Sequence, residues 1–302
     1  MLRERIEVKF MGISGWCGSC ASVNTGECRS AERGIRGRLL GGALALMLLG
    51  GGSAAGGMSV ALSASLPQGS APASPSSKND LVHEGLCYDF GAKGHPRDIS
   101  RAIALYRKAA AGGSLPAMML LSQRYEIGRG VPRDDGRALF WLQRAARGGY
   151  PPAEDALGDR YAGGVGVRKN DARAVSWYFR AGRHGYGESQ DLLGFRYEKG
   201  DGVPRNLSRA RFWYERAAKD AGTPDAFSRL GVLWEKGEGG RRSPERAYFW
   251  YSLAKTTIPA AKVRYEALSR TLPLPVRLRL DAEAAGFVEK YRPRWSRFRL
   301  LP

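Results

Sequence analysis

Residue types that often carry chemistry are sparse in this chain. Cys17 and Cys20 form a Cys-x-x-Cys pair, but their flanks are rich in Gly and Ser and show no strand leading into a helix, which a redox pair of this spacing requires. Cys28 adds a third thiol, yet the segment has no histidine to complete a tetrahedral zinc site. We therefore predict neither a redox centre nor a zinc site here.

A second set of possible ligands follows the Cys segment. His83 and Cys87 would share one helix face, with His95 nearby, but three ligands in one irregular stretch are weak support for a metal site. The sequence also lacks a nucleophile elbow, a phosphate-binding glycine loop between strand and helix, and a repeated carboxylate pair. We predict no catalytic residue, no cofactor and no metal, and hence a protein that is not an enzyme.

Arginine recurs at a fixed spacing. Arg124, Arg160 and Arg196 follow one another at intervals of 36 residues. A guanidinium group pairs bidentately with carboxylates and phosphates, so a row of them would suit an extended acidic partner. The alternative is that nearby carboxylates neutralise the row. The candidates are Glu126, Asp155, Asp159, Asp191 and Glu198.

Other basic residues share this spacing. One set precedes a recurring alanine, and the other lies seven residues later, two helical turns along the same face. The first set is Arg101, Arg137, Arg173, Arg209 and Arg246, and the second is Lys108, Arg144, Arg180 and Arg216. We interpret them as an outer basic stripe suited to anionic lipid. The formal charge of +19, most of which lies after residue 80, likewise favours acidic partners or anionic polymers.

A repeat of 36–37 residues must position these side chains. Its aromatic column is Tyr88, Tyr125, Tyr161, Tyr197 and Trp234, and its alanine column is Ala102, Ala138, Ala174, Ala210 and Ala247. Each unit predicts an apolar first helix, a Gly-x-Gly-Val turn, an N-cap residue four positions before the alanine, and a second helix that buries a bulky pair such as Trp177 and Tyr178. Glycines within the first helices, at Gly158, Gly194 and Gly231, predict close helix contacts.

These motifs resemble the Sel-one-like repeat, a relative of the tetratricopeptide repeat, over residues 80–255 and most clearly over 116–219. The resemblance implies an all-α, right-handed α-solenoid of about five helix-turn-helix repeats, with the first helices on the concave face and capping helices over 256–291. It also implies a scaffold or adaptor that binds a protein along the concave face at the bacterial cell envelope. Two alternatives stay open: an envelope hydrolase or β-lactam-interacting enzyme, and an electrostatic binder of anionic polysaccharide or lipid.

The N-terminal segment predicts export. Arg33, Arg36 and Arg38 precede the apolar residues 39–49, and no charge follows until Lys78, which places the N-terminus in the cytoplasm. We predict a disordered leader over 1–38, a signal peptide or transmembrane anchor over 39–66, and a Pro-, Ser- and Ala-rich linker over 67–79.

The location of the repeats follows from this leader. Residues 80–255 would lie in the periplasm, free or held to the inner membrane through residues 39–66 if these are not cleaved. The tail at 292–302 mixes cations and aromatics. Because an exported protein meets little nucleic acid, we predict no nucleic-acid binding and interpret the tail as membrane-interfacial or disordered.

Overall fold

The computed structural model describes residues 77–295, which form twelve α-helices and no β-strand. Within this range, ten helices make five consecutive helix-turn-helix repeats, and two more follow. The first helices of the repeats are α1 (Lys78–Phe90), α3 (Leu115–Ile127), α5 (Pro151–Gly163), α7 (Gly187–Lys199) and α9 (Pro224–Lys236). The second helices are α2 (Ile99–Ala111), α4 (Asp135–Arg147), α6 (Asp171–Arg183), α8 (Leu207–Asp220) and α10 (Pro244–Ala254). The predicted all-α solenoid is confirmed.

The ends of these helices are set by local side-chain chemistry. Each second helix begins where a side-chain oxygen accepts a hydrogen bond from a backbone N–H of the first turn, which otherwise has no partner. These residues are the predicted N-caps Asp98, Asp134, Asn170, Asn206 and Ser243. First helices end at a glycine in the left-handed conformation, such as Gly164 with a φ of 72°.

Close contact between the two helices of a repeat depends on the glycines inside the first helices. A Cβ atom on Gly158 or Gly194 would lie 2.5 Å from the ring of Tyr178 or Tyr214, closer than carbon atoms can approach. The tyrosine of each second helix therefore lies directly on the backbone of the first helix. The predicted close contacts are confirmed.

The predicted bulky pairs are buried unequally. The second member of each pair is fully buried, and these residues are Tyr106, Leu142, Tyr178, Tyr214 and Tyr251. Of the first members, Trp213 and Trp250 are buried, whereas Leu105, Trp141 and Trp177 are partly exposed. Burial of both members was thus a wrong prediction for the first three repeats, because the outer side of their second helices is not covered by another helix.

The last two helices are α11 (Pro259–Thr271) and α12 (Leu274–Trp295). α12 packs mainly across the second helices α10 and α8, rather than against α11 as a further repeat would. Its C-terminal Trp295 packs against Phe227 and against the backbone of Gly222. Residues 292–295, which we expected to be disordered or membrane-interfacial, therefore belong to this helix.

Several predictions fall beyond the described residues. The leader at 1–38, the apolar segment at 39–66, the linker up to residue 76 and the tail from 296 onward all lie outside them. At the described edge, Ser77 caps α1 through a hydrogen bond from the Asp80 N–H, so the helix begins at Lys78, inside the linker predicted over 67–79. No helix within residues 77–295 has the length and apolar character needed to cross a membrane.

Candidate functional site

The predicted column of arginines lies at the junctions between repeats, where each guanidinium faces a carboxylate of the preceding repeat. Arg124 and Arg160 are only 5% and 7% exposed. The pairs are Arg124 with Asp89, Arg160 with Glu126 at 3.0 Å, and Arg196 with Asp171 at 3.0 Å. Carboxylates thus neutralise these guanidiniums, which is the second of the two alternatives for this row, because a buried cation requires a counter-charge.

Only one of the three counter-charges was among our candidates. Glu126 was named, whereas Asp89 and Asp171 were missed. A signal for Asp89 was present, since it follows Tyr88 as Glu126 follows Tyr125 and so occupies the same repeat position. Asp171 lies in the first turn of a second helix, and only the packing of the next repeat brings it to Arg196.

A tyrosine of the second helix also donates to the carboxylate of the first junction and to that of the last, between the fifth repeat and α11. The Tyr106 hydroxyl donates to Asp89 at 3.0 Å, and the Tyr251 hydroxyl donates to Glu235 at 2.8 Å. Burial, and then the adjacent carboxylate, raises the pKa of both tyrosines well above its usual range, so both stay protonated donors. In the last junction, Glu235 also pairs with Arg264 of α11 at 2.7 Å. The first-helix charges therefore hold neighbouring repeats together.

The first set of the outer basic stripe is exposed, and its arginines lie over the aromatic column. Arg101, Arg137, Arg173 and Arg209 place their guanidinium carbons 4.4, 5.6, 5.7 and 5.6 Å from the ring centroids of Tyr88, Tyr125, Tyr161 and Tyr197. A guanidinium stacked on a ring keeps its charge available to solvent while its flat side covers apolar surface. Arg246 of the fifth repeat is likewise exposed.

The second set lies beside tryptophans. Arg144, Arg180 and Arg216 lie 5.7, 4.7 and 5.5 Å from the ring centroids of Trp141, Trp177 and Trp213, each one turn earlier on the same helix. Lys108 is the exposed counterpart in the first repeat. Arg180 also donates to the fully buried Glu154 at 3.0 Å, and the other oxygen of Glu154 lies 3.0 Å from His184 Nδ1.

Large apolar side chains stand next to these arginines. Phe140, Phe179 and Phe212 are 55%, 40% and 53% exposed. Phe179 and Phe212 both meet the ring of Trp213 edge-on, with centroids 5.6 and 5.3 Å apart, which joins α6 to α8 across the surface. Exposed aromatic clusters rimmed by charge mark interaction sites in soluble proteins. We call this surface the outer aromatic face: Phe140, Trp141, Arg144, Trp177, Phe179, Arg180, Phe212, Trp213 and Arg216.

The histidines and the cysteine of the first repeat lie apart from this face. Cys87 is buried, His83 Nε2 lies 2.5 Å from Lys93 Nζ, and the His95 ring packs on Tyr88 with centroids 4.5 Å apart. Within residues 77–295, no group of three or more His, Cys, Asp or Glu side chains is arranged to hold a metal ion.

The repeats match a known family along the chain. Five consecutive segments fit the model of the Sel1 repeat, at residues 85–114, 115–150, 151–186, 187–221 and 224–256. The chain belongs to the Sel1 repeat family. Sel1 repeat proteins are in general non-catalytic scaffolds for protein interactions. None of the curated proteins matches this Sel1 repeat chain.

A solved structure of another Sel1 repeat protein shows the same fold. A crystal structure of a Sel1 repeat protein from Oxalobacter formigenes is 28% identical, covers 72% of this chain and 91% of its own, and superposes with a TM-score of 0.59. The structure of a protective antigen of uropathogenic Escherichia coli strains, described as an SLR fold, is 22% identical, covers 74% of this chain and 56% of its own, and has a TM-score of 0.44.

The Sel1 repeat motif explains only part of the surface. It specifies the caps, the turns, the column alanine, and the Trp-Tyr pair of the second helix. Phe140 and Phe212 stand two residues after the column alanine, and Phe179 five residues after it, where the motif specifies no residue type. Sequence reasoning missed them because they do not recur in every repeat. The fold therefore does not account for their exposed phenyl rings.

Proposed function

We propose that this Sel1 repeat protein is a non-enzymatic scaffold that binds a protein partner across its outer aromatic face. The observation that carries the proposal is the exposure of Phe140, Phe179 and Phe212 beside arginines that are stacked on tryptophan. Tryptophan, phenylalanine and arginine are enriched at the centres of protein interfaces, because they combine a large apolar contact area with directed polar groups. The ring contacts of Phe140 and Phe212 are with the tryptophan next to each on its own helix, so packing between repeats does not explain these two phenyl rings.

Binding along the first helices stays a prediction. The arginines that motivated it, Arg124, Arg160 and Arg196, are engaged in ion pairs between repeats. To offer them to a partner, the protein would have to break these pairs and leave a carboxylate such as Asp89 buried without its cation. On the outer aromatic face, Phe140, Phe212 and Arg144 are already exposed, so a partner can contact them without breaking a buried ion pair.

The proposed location is the bacterial cell envelope, in the periplasm or on the periplasmic side of the inner membrane. Its support is the basic cluster Arg33, Arg36 and Arg38 before the apolar residues 39–49. This segment lies outside the described residues, so the location rests on sequence alone. A fusion of the full chain to alkaline phosphatase, which is active only after export, tests it: inactive enzyme in an expressed fusion rejects an envelope location.

Site-directed photo-crosslinking in cells tests the scaffold function. A photoreactive phenylalanine analogue replaces Phe140 or Phe212 in the full chain, and Val263 on α11, which is 66% exposed, is the matched control. We expect a discrete crosslinked protein from positions 140 and 212 but not from 263. Crosslinks from Met119 and Leu192 on first helices, with none from 140 and 212, would move the binding site to that face. A chain that crosslinks to no protein at any of these positions would overturn the scaffold function.

A further inference from the structure

The C-terminal helix shows how this surface receives another helix. On α12, Leu280, Ala284, Phe287, Tyr291 and Trp295 recur every three or four residues and form one apolar stripe. The Leu280 and Ala284 side chains are buried, and Phe287 packs into the aromatic cluster beneath it. α12 thus lies across the outer side of α10 as an amphipathic helix that belongs to no repeat.

The receiving residues of α10 have counterparts in the outer aromatic face. Phe249 stands two residues after its column alanine, as do Phe140 and Phe212. The ring of Phe287 meets Phe249 and Trp250 edge-on, with centroids 5.8 and 5.5 Å apart. Under α12, Phe249 is only 5% exposed, whereas Phe140 and Phe212 are 55% and 53% exposed. The phenylalanine two residues after the column alanine, which we call the receptor position, is thus covered in the fifth repeat and exposed in the second and fourth.

One residue position distinguishes the open receptors from the covered one. Arg144, Arg180 and Arg216 stand six residues after the column alanine, and the fifth repeat has Leu253 at this position. Leu253 packs against the apolar core, so the fifth repeat has an apolar side chain where the second to fourth repeats have a guanidinium. A helix on the second to fourth repeats would instead meet a guanidinium beside each aromatic receptor, which favours a carboxylate at that point.

We propose that the partner segment is an amphipathic α-helix with acidic residues flanking its apolar stripe, docked on the outer aromatic face as α12 docks on α10. The inference rests on the proposed function, because it takes this face to be the binding site for protein. The chain's own α12 does not meet the requirement. It is already engaged across α10 and α8, and it carries Arg277, Arg279 and Lys290, which the arginines of the face would repel.

A matched pair of peptides tests the proposal. One has the sequence of residues 274–295, and the other has glutamate at Arg277, Arg279 and Lys290, so the two share an apolar stripe and differ in charge. Fluorescence anisotropy measures their binding to the full chain at 0.15 M salt. We expect the acidic peptide to bind about tenfold or more tightly than the basic one, since a few charge-assisted contacts supply at least that ratio. Equal binding, or no binding of the acidic peptide, overturns the proposal.

Variants of the protein locate the binding. Phe140→Ser with Phe212→Ser removes the open receptors, and Arg144→Glu with Arg216→Glu reverses the charge. We expect each double variant to bind the acidic peptide with about tenfold lower affinity. Arg241→Glu with Arg270→Glu is the control, because both residues are exposed, lie elsewhere, and change the net charge equally. If the control variant lowers the affinity for the acidic peptide as much as the charge reversal on the face does, binding depends on net charge and the proposal fails.

Two further outcomes separate the alternatives. Exposed aromatics with cations also occur at membrane interfaces. One outcome would show that the face is a membrane contact and would overturn the helix proposal. In it, vesicles of anionic phospholipid bind the unaltered chain but not the variant with Phe140→Ser and Phe212→Ser, and the acidic peptide does not bind. If photo-crosslinks form at positions 140 and 212 in cells while the acidic peptide fails, the scaffold function stands and only the helix proposal falls.

Discussion

Asp89 shows how a charged side chain is held inside this stack of helices. It is completely buried, accepts a hydrogen bond from Tyr106, contacts Arg124 of the next repeat, and lies 3.3 Å from Arg129. A buried ion pair adds little net stability over an apolar pair, but the loss of one partner leaves an uncompensated charge. The arginines of this column can therefore stay buried at low cost only while their carboxylate partners are present.

Removal of Asp89 should consequently be costly. We expect Asp89→Ala to lower the free energy of unfolding by about 3–5 kcal/mol, measured by urea denaturation, because Arg124 stays buried without its counter-charge. Asp135→Ala is the control, since Asp135 pairs with Arg133 at 3.2 Å but is mostly exposed, and it should cost within about 1 kcal/mol.

A second variant separates charge from packing. Leu233 occupies the position of Arg124 in the fifth repeat and is buried there. Asp89→Leu with Arg124→Leu should recover most of the stability that Asp89→Ala loses, because an apolar pair can replace a buried ion pair. Equal losses in the single and double variants would show that packing volume, not the unpaired charge, sets the cost.

At the scale of the helix, the chain offers a matched pair of glycines. Gly194 lies in α7 against Tyr214, with 2.5 Å between an added Cβ and the ring, whereas a Cβ on Gly286 of α12 meets nothing within 4 Å. Both are helical, so alanine gains about 1 kcal/mol of helix propensity at each. Gly286→Ala should raise the melting temperature, and Gly194→Ala should lower it because the tyrosine must move out of its site. Two variants with the same sign of change would refute the close-packing role of Gly194.

These helices also show which structural features a sequence pattern can predict. Asn170 and Gly164 are determined locally, since a cap or a left-handed turn needs a particular residue type at one point of the chain. The partner of Arg196 is set by the packing of two repeats, and no local rule names Asp171. The return of α12 across α10 depends on which surface is left uncovered, and that emerges only after all five repeats are stacked.

At the scale of the whole chain, the described charges divide between two roles. First-helix arginines such as Arg124 and Arg160 are neutralised in junctions between repeats. Second-helix arginines such as Arg144 and Arg209 lie over aromatic rings and remain exposed. Within the described residues, the exposed basic charge therefore bears on partners mainly through the second helices. Attraction of this kind falls with ionic strength, whereas apolar contact does not.

A salt series distinguishes a basic surface that holds anionic polymers from one that docks a protein. Between 0.01 and 0.15 M salt the Debye length falls from about 30 Å to about 8 Å, so polysaccharide or lipid held by charge alone should be released. A partner whose apolar side chains fill the space beside Phe140 and Phe212 should stay bound, with a slower association rate and a nearly unchanged dissociation rate. Surface plasmon resonance on the full chain measures both rates for the partner identified by crosslinking. Release of that partner at 0.15 M, together with equal binding by Phe140→Ser and the unaltered chain, would show that charge alone holds it and that the exposed phenyl rings do not contribute.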